Sequence, residues 1–309
     1  MQLEQELAGF TSGRESIVAI GVFDGVHLGH KFLISRLKEL AAQQGLASVV
    51  ITFNRHPHEV LKPNSQPLFL TDAAEKAELL SREGVDAVIV LNFTLELSRL
   101  SARDFVNILL SKLKMRGLVM GPDFALGKRG EGSIPALRKI GEESGFSVTA
   151  IPAVHIGSDI VSSTAIRLAM ASGDMEKVQS MMGRPFSLHG QVIHGHGRGT
   201  GLGFPTVNLD VSKGKSLPSD GVYATLAQAN NLNYLSVTNI GTDPTVGGTE
   251  RTIESFILDF QANLYGCDIK IDFKHKLRDE IKFKSGVELV QQIELDIRET
   301  REYFKIHSQ

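Results

Sequence analysis

The chain has 309 residues, 42% of them hydrophobic and 22% charged, which is typical of a soluble globular protein with about two domains. Its net charge of −2 provides no basic surface for nucleic acid or an anionic membrane, and no apolar run approaches the ~20 residues that a membrane-spanning helix needs. The single cysteine, Cys267, excludes an intrachain disulfide and favours a reducing cytoplasm, and we expect it to be a packed residue rather than a nucleophile.

The first half of the chain alternates between apolar runs that predict strands and amphipathic stretches that predict helices. The predicted strands are 17–23, 48–53, 87–93, 117–120 and 147–151, and the predicted helices are 30–44, 72–83, 102–112 and 134–144. This alternation predicts an α/β domain with a doubly wound parallel sheet, covered by helices on both faces. Two shorter helices are predicted to follow, at 164–171 and 175–182.

The second half of the chain has a different pattern, and Gly183-Arg184-Pro185 marks the predicted boundary between domains at 1–183 and 184–309. Short strands separated by turns rich in Gly, Asn, Asp and Ser predict a small antiparallel β-barrel or sandwich. The predicted strands are 186–193, 206–211, 221–228, 234–240, 252–260 and 267–277. One helix, at 286–299, closes the chain.

The turn after the first strand, GVFDGVHLGH at 21–30, is the most informative segment of the sequence. Such strand-to-helix turns bind phosphate, because the first N–H groups of the helix have no partners within it. His27 and His30 are three residues apart, so both imidazoles can project from one face of the first turn. The other candidate phosphate contacts here are Gly21, Phe23, Asp24 and Gly25. The alternative is a capped turn with two surface histidines.

Two further loops follow predicted strands, whose ends face the ligand crevice of a doubly wound sheet. Asn54 lies in the first of them, TFNRHPH at 52–58, which is otherwise an ordinary turn containing proline. Asp123 and Phe124 lie in the second, GPDFALGKR, and offer a carboxylate and an aromatic ring. This second loop is not a P-loop, because the spacing from glycine to lysine is one residue too long.

A hydroxyl-rich segment, VSSTAIR at 161–167, is predicted to begin a helix. Hydroxyl groups, helix N–H groups and a guanidinium can hold a phosphate together, although a simple helix cap is the alternative. The candidate contacts are Ser162, Ser163, Thr164 and Arg167. A zinc site formed by the histidines of the first half is not favoured, because no cysteine supports it.

The second half contains a glycine-rich loop, GHGRGTGLGFPTVN at 195–208, which suits a close backbone approach to phosphate. Its candidate contacts are Gly197, Arg198 and Gly203. Thr206 and Asn208 lie two residues apart on a predicted strand, so their side chains face the same way and offer oxygen ligands for Mg²⁺. A hairpin with polar residues facing solvent is the alternative.

Glu254 lies in the predicted strand TIESFILDF, on the same face as Phe256, Leu258 and Phe260. A carboxylate on an apolar face is costly to leave ionised without a partner, and this is the environment of a general base. A glutamate that escapes to solvent at the end of the strand is the alternative.

These motifs resemble the two modules of the bacterial bifunctional riboflavin kinase/FAD synthetase family. GVFDGVHLGH, TFNRHP, GPDFALG and SSTAIR are similar to its nucleotidyltransferase module, which has a Rossmann-like fold. GRGTGLGFPTVN, GVYA, NIGTDPT, IESFILDF and LRDEIKF are similar to its kinase module, a six-stranded Greek-key barrel. The resemblance covers nearly the whole chain, in the order of the family.

The resemblance implies that the C-terminal domain phosphorylates riboflavin to FMN and that the N-terminal domain transfers AMP from ATP to FMN, giving FAD and pyrophosphate. Both steps would use ATP with Mg²⁺ or another divalent metal, and riboflavin, FMN and ATP would be the partners. In the N-terminal domain, the histidine pair would contact the ATP phosphates in the transition state. The hydroxyl-rich segment and Arg167 would hold the β- and γ-phosphates, while Asn54 and Asp123 would lie near the nucleotide and its metal. Asn54, Asp123 and Phe124 are also the candidate flavin contacts of this domain.

In the C-terminal domain, the resemblance assigns Thr206 and Asn208 to Mg·ATP and Glu254 to deprotonation of the riboflavin 5′-hydroxyl. Arg278 and Glu280 would border the flavin pocket.

The sequence departs from the family pattern at Asn54-Arg55, Ala125, Leu126 and Ala165. These departures leave two alternatives open: a riboflavin kinase with a weak or inactive adenylyltransferase domain, and a non-catalytic regulator that binds flavin or nucleotide. The combined presence of His27, His30, Thr206, Asn208 and Glu254 argues against the regulator, because binding alone does not need a base.

Overall fold

The computed structural model describes residues 2–8, 13–62, 68–195, 201–242 and 251–307. The chain forms two compact units, Met1–Ser163 and Thr164–Gln309. This division lies before the predicted one between residues 183 and 184, which stays a prediction.

The first unit is built on five parallel strands: β1 Ser16–Ile20, β2 Ala47–Phe53, β3 Ala87–Leu91, β4 Met115–Met120 and β5 Ser147–Ala150. Their order in the sheet is β3-β2-β1-β4-β5. Alternate residues of β1 enter different apolar clusters, Val18 and Ile20 in one and Ile17 and Ala19 in the other. The sheet is therefore buried on both faces, as predicted for a doubly wound domain.

Seven helices are described in the first unit: α1 Gln2–Ala8, α2 Leu28–Gln44, α3 Pro57–Leu61, α4 Ala73–Arg82, α5 Leu95–Ser98, α6 Ala102–Leu113 and α7 Ile134–Ser144. Helices α1, α3 and α5 were not predicted, because segments of seven residues or fewer show too little hydrophobic periodicity. A short hairpin of β6 His155–Ile156 and β7 Asp159–Ile160 was missed as well.

The second unit has three helices and six strands among its described residues. They are α8 Ser163–Ser172, which begins at the division, α9 Met175–Met182, β8 Phe186–Ile193, β9 Val207–Val211, β10 Gly221–Ala229, β11 Leu232–Thr242, β12 Arg251–Ile257, β13 Asp268–Arg278 and α10 Gly286–His307. The strands close an antiparallel barrel in the order β10-β11-β12-β9-β8-β13, which confirms the barrel prediction.

The two faces of β12 have different surroundings. Ile253, Ser255 and Ile257 are buried, and Ser255 accepts a hydrogen bond from Thr238 at 3.0 Å inside the barrel. Glu254 and Phe256 alternate onto the opposite face, as predicted. The strand ends at Ile257, so the predicted alternation does not extend to Phe260.

The prediction that Cys267 packs in the interior is wrong, because this residue is exposed. It directly precedes β13, and its N–H donates to the carbonyl of Leu264 in the turn that leads into the strand. Strand-like composition around the cysteine therefore reflects the start of β13 and not a buried position.

Candidate active sites

The two histidines of the first turn lie together at the start of α2. Their rings are stacked, with centroids 3.6 Å apart. His27 is the N-cap residue, and its Nδ1 accepts a hydrogen bond from the backbone N–H of His30 at 3.3 Å. His27 is buried, and Nδ1 of His30 is buried without a hydrogen-bond partner in the part of the chain that the structure describes. The turn therefore presents two adjacent imidazoles beside the first N–H groups of a helix.

The electrostatic surroundings of His30 favour its neutral form. Burial, followed by the nearby charges of His27 and Lys76, holds the pKa of His30 well below its ordinary value of 6.5. Near neutral pH the imidazole is then uncharged, so it can donate one N–H to a phosphate oxygen without adding a positive charge.

Asp24 has a structural task in the same turn. One carboxylate oxygen accepts hydrogen bonds from the backbone N–H groups of Leu70, at 2.8 Å, and Thr71, at 3.1 Å. In return, the N–H of Gly25 donates to the hydroxyl of Thr71 at 2.9 Å. These bonds connect the turn to the segment that precedes α4, and the predicted phosphate contacts of Asp24 and Gly25 stay predictions.

The hydroxyl-rich segment reaches the same turn through Ser163, whose hydroxyl donates to the carbonyl of Asp24 at 2.9 Å. A Cβ at Gly29 would lie 3.4 Å from the carbonyl oxygen of Val161, so the backbones run close together. The structure thus brings Ser162 and Ser163 near the histidine pair, as predicted. Thr164 and Arg167 belong to the second unit, and their contacts with phosphate stay predictions.

Asn54 is held by a chain of hydrogen bonds that the sequence analysis missed. Its amide nitrogen donates to the side-chain oxygen of Asn92, and its oxygen accepts the backbone N–H of Phe93 at 3.3 Å. The side-chain nitrogen of Asn92 in turn donates to Glu6 of α1 at 2.6 Å. Asn54 is therefore fixed at the end of β2 by partners that are distant in sequence.

The loop after β4 contains two predicted ligand contacts, Asp123 and Phe124, and their surroundings differ. Asp123 is exposed, whereas Phe124 packs against the apolar cluster beneath the sheet. The ring is therefore partly committed to the core, and a contact between Phe124 and a ligand stays a prediction. Within the described ranges, no group of His, Cys, Asp and Glu side chains is suited to a metal ion.

The second unit contains a cavity of about 320 Å³ between the barrel and α10. Thr206, Glu254, Arg278 and Glu280 all line it, so four residues singled out from sequence converge there. Asn239, Thr252 and Asp296 add further polar groups to the wall, and apolar side chains that include Phe204 and Phe256 form much of the remainder. The rings of Phe204 and Phe256 meet edge to face with centroids 5.5 Å apart. Cavities of this volume accommodate small organic molecules.

Glu254 lies between two asparagines in the barrel wall. In the strand register it is opposite Asn208 of β9 on one side and Asn239 of β11 on the other. Directly opposed residues of antiparallel strands share a face of the sheet. A Cβ at Gly195 would overlap the amide of Asn208, so the glycine leaves room for that side chain. The predicted base and a predicted metal ligand are therefore neighbours.

Arg278 is oriented by a buried ion pair that the sequence analysis missed. Its Nε and one terminal nitrogen donate to the two carboxylate oxygens of Asp296 in α10, at 2.9 and 2.8 Å. Asp296 is 2% exposed and also accepts a hydrogen bond from Gln292. An aspartate on the apolar stripe formed by Leu289, Ile293 and Ile297 was the available sequence signal.

Glu280 reaches across β11, where it accepts a hydrogen bond from the Asn239 amide at 3.3 Å. A Cβ at Gly241 would overlap its carboxylate, so this approach depends on glycine. Of the glycine-rich loop, Gly203 is described, with a positive φ of 88°, whereas Gly197 and Arg198 lie outside the described residues.

Two family models match the two parts of this chain. One, described as FAD synthetase, matches residues 10–165, and the other, described as riboflavin kinase, matches residues 182–304. The chain belongs to the bifunctional riboflavin kinase/FMN adenylyltransferase family.

Curated members of this family match over almost their entire lengths. The one from Listeria monocytogenes is 38% identical over 290 residues, which cover 93% of this chain and 92% of that relative. The one from Escherichia coli K12 is 37% identical with the same coverage, and the one from Bacillus subtilis is 34% identical over 294 residues. Among solved structures, a Streptococcus pneumoniae protein named as a macrolide-efflux protein superposes with a TM-score of 0.88 at 30% identity, covering 96% of each chain.

Membership of the riboflavin kinase/FMN adenylyltransferase family agrees with the resemblance drawn from the motifs, and it does not favour the alternatives of a kinase alone or a regulator. The departures at Asn54 and Arg55 lie within the matched FAD synthetase region. In the described residues, no helix is long and apolar enough to cross a membrane.

Proposed function

We propose that the second unit of this chain phosphorylates riboflavin to FMN and that the first unit transfers AMP from ATP to FMN, releasing pyrophosphate. The observation that carries the proposal is the position of Glu254, which faces a ligand-sized cavity and is flanked by Asn208 and Asn239. Substrate binding alone would not need a carboxylate at this place. Family membership supports both activities.

In the kinase step, Glu254 accepts the proton of the riboflavin 5′-hydroxyl as the hydroxyl oxygen attacks the γ-phosphorus of ATP. The bond between the γ-phosphorus and the bridging oxygen breaks, and ADP leaves. Phe204 and Phe256 provide an apolar wall for the flavin ring system. Arg278 and Glu280 are held by Asp296 and Asn239 at the border of the same cavity.

The residues present suit the divalent metal that the family implies. Thr206 and Asn208 offer a hydroxyl and an amide oxygen, the hard ligands that Mg²⁺ prefers together with water and phosphate oxygens. The space at Gly195 allows the amide of Asn208 to lie beside the strand. Bound there with ATP, the metal would neutralise charge on the phosphates.

In the adenylyl-transfer step, an oxygen of the FMN phosphate attacks the α-phosphorus of ATP, and the bond to pyrophosphate breaks. Such a reaction depends on positioning and charge stabilisation and needs no covalent intermediate with the protein. His27 and His30 would donate hydrogen bonds to the ATP phosphates. Ser162, Ser163, Thr164 and Arg167 would hold the β- and γ-phosphates.

The two activities are tested by supplying each acceptor separately to the full-length protein. With FMN, ATP and Mg²⁺, chromatography should detect FAD, and its absence would refute the adenylyltransferase assignment. With riboflavin and ATP, the absence of FMN and FAD would refute the kinase assignment. The predicted cytoplasmic location stays a prediction based on the single cysteine.

A further inference from the structure

Lys76 is a buried lysine that the proposed mechanism does not use. It lies on α4 and is 5% exposed, and its ammonium nitrogen donates a hydrogen bond to the carbonyl of Phe53 at 2.7 Å. Burying an ammonium group is costly unless other groups compensate for its lost hydration. A lysine on the solvent-facing side of α4 would not incur the cost of burying its ammonium group. The buried position of Lys76 therefore suggests that this residue has a specific role.

Lys76 lines a small cavity of about 130 Å³ at the carboxyl ends of β1 and β2. Asn54 and His56 lie on the same cavity wall, together with Asp24, Glu59 and Asp72. The three carboxylates favour the charged ammonium and oppose the effect of burial, which on balance lowers the pKa of Lys76.

Each of these carboxylates is itself fixed by backbone N–H groups. Asp24 accepts from Leu70 and Thr71, as described above. Asp72 caps α4 by accepting the N–H of Glu75 at 2.8 Å, and Glu59 accepts the N–H of His56 at 3.0 Å. The charges around Lys76 are therefore held in place and not mobile at the surface.

We propose that Lys76 is a positioning residue of the adenylyl-transfer site, which ties the end of β2 to α4 and keeps a fixed positive charge near the histidine pair. This inference rests on the proposed adenylyl transfer. Asp24 connects the histidine turn to the start of α4, and Lys76 connects α4 to Phe53, the residue before Asn54. Helix α4 thus sets the spacing between the histidines and the Asn54 loop.

The sequence does not indicate this role, because Lys76 occupies an amphipathic helix, where a lysine normally lies in solvent. The available signal was its spacing from Leu80, which is also buried and lies one turn further along α4.

The test compares Lys76→Met with Lys76→Arg, which keeps the charge and a donor for Phe53. Lys76→Met should lower kcat/KM for FAD synthesis from FMN roughly 10²-fold, the effect of a small misplacement in a reacting pair. It should leave FMN synthesis from riboflavin unchanged, and Lys76→Arg should recover most of the loss. Arg82→Met on the same helix is the control, since Arg82 is exposed and should have no effect.

A second measurement separates this role from a general loss of structure. The charged groups near His30 include Lys76 and His27, and those near Lys76 include Asp24, Glu59 and Asp72. Removing the Lys76 charge should raise the pKa of His30. NMR titration of the imidazole measures this pKa, and the His30→Gln variant identifies which imidazole signal belongs to His30. Lys76→Arg should leave that pKa unchanged.

If Lys76→Met does not fold, judged by circular dichroism, Lys76→Gln replaces it because glutamine retains a donor for Phe53 without the charge. A folded, uncharged variant with wild-type FAD synthesis, or with an unshifted His30 pKa, would overturn the inference. Failure of the wild-type protein to make FAD would instead overturn the proposed function.

Discussion

At the scale of single residues, the same side-chain types perform different tasks according to their partners. Glu254 faces a cavity between two amides, whereas Asp24 accepts backbone N–H groups that hold a turn. The sequence placed both residues in functional motifs, but spacing alone does not distinguish a carboxylate that meets a ligand from one that fixes the backbone. The hydrogen-bond partners of Asp24, at Leu70 and Thr71, are too distant in sequence to be predicted.

Replacing Glu254 with glutamine tests its assignment as the base. Glu254→Gln keeps the shape of the side chain but cannot accept the hydroxyl proton, so the rate of FMN formation should fall roughly 10²- to 10⁴-fold. The same variant should convert supplied FMN to FAD at the wild-type rate, which serves as its internal control. An unchanged kinase rate would show that another group takes the proton.

The depressed pKa of His30 predicts a dependence of stability on pH. The unfolded chain binds a proton at His30 below pH 6.5, whereas the folded protein does not bind it until the pH is much lower. Stability should therefore fall as the pH drops below 6.5, and the loss should be complete below the folded pKa. Thermal unfolding of His30→Gln should show a smaller fall in this window.

The carboxylate of Asp86 affects stability in a different pH range from His30. Hydrogen bonds from the backbone N–H and the hydroxyl of Ser48 lower the pKa of Asp86 below its ordinary 3.8. The contribution of Asp86 to the stability of the folded protein is therefore lost only in more acidic solution.

Equal pH dependence of stability in the wild type and His30→Gln between about pH 7 and pH 5 would contradict the buried neutral state of His30.

At the scale of helices and strands, the sequence predicted all six barrel strands and the five strands of the sheet to within a few residues. Alternating or continuous apolar runs predict these strands, and the strand pairings in the sheet and the barrel confirm them. The closing helix was predicted to end at residue 299, but α10 continues to His307. Short helices such as α3 depend on capping by His56, a local bond that hydrophobic periodicity does not report.

The ion pair between Arg278 and Asp296 joins α10 to the barrel. Removing one partner of a buried pair leaves the other charge uncompensated, so Asp296→Ala should destabilise the second unit by about 3 kcal/mol. Because Arg278 and α10 line the cavity, KM for riboflavin should rise as well. Denaturant unfolding and kinase assays measure the two effects.

Arg301→Ala is the matched control, because Arg301 lies on the same helix and pairs with Asp259 at an exposed position. An exposed pair contributes little, so this variant should unfold like the wild type. Equal destabilisation by both substitutions would contradict the importance of burial at Asp296.

At the scale of the whole molecule, two candidate sites occur in two units of different fold class. The turn at 21–30 predicted phosphate chemistry in a parallel α/β unit, but it does not identify the acceptor. The hypothesis that the acceptor is a flavin came from the second half of the chain, through Thr206, Asn208 and Glu254. The strand register of the barrel then placed Asn208 beside Glu254. The chain of hydrogen bonds that links Asn54 through Asn92 to Glu6 was not predicted, because these residues lie in three separate parts of the sequence.

The time course of products from riboflavin, ATP and Mg²⁺ tests the central claim most directly. The wild-type protein should produce FMN and then FAD, whereas His27→Ala should accumulate FMN and Glu254→Gln should form both products from riboflavin far more slowly. Chromatography of the reaction mixture separates the three flavins. Formation of FMN by the wild type without any FAD, or equal loss of both activities in each folded variant, would contradict two independent sites in one chain.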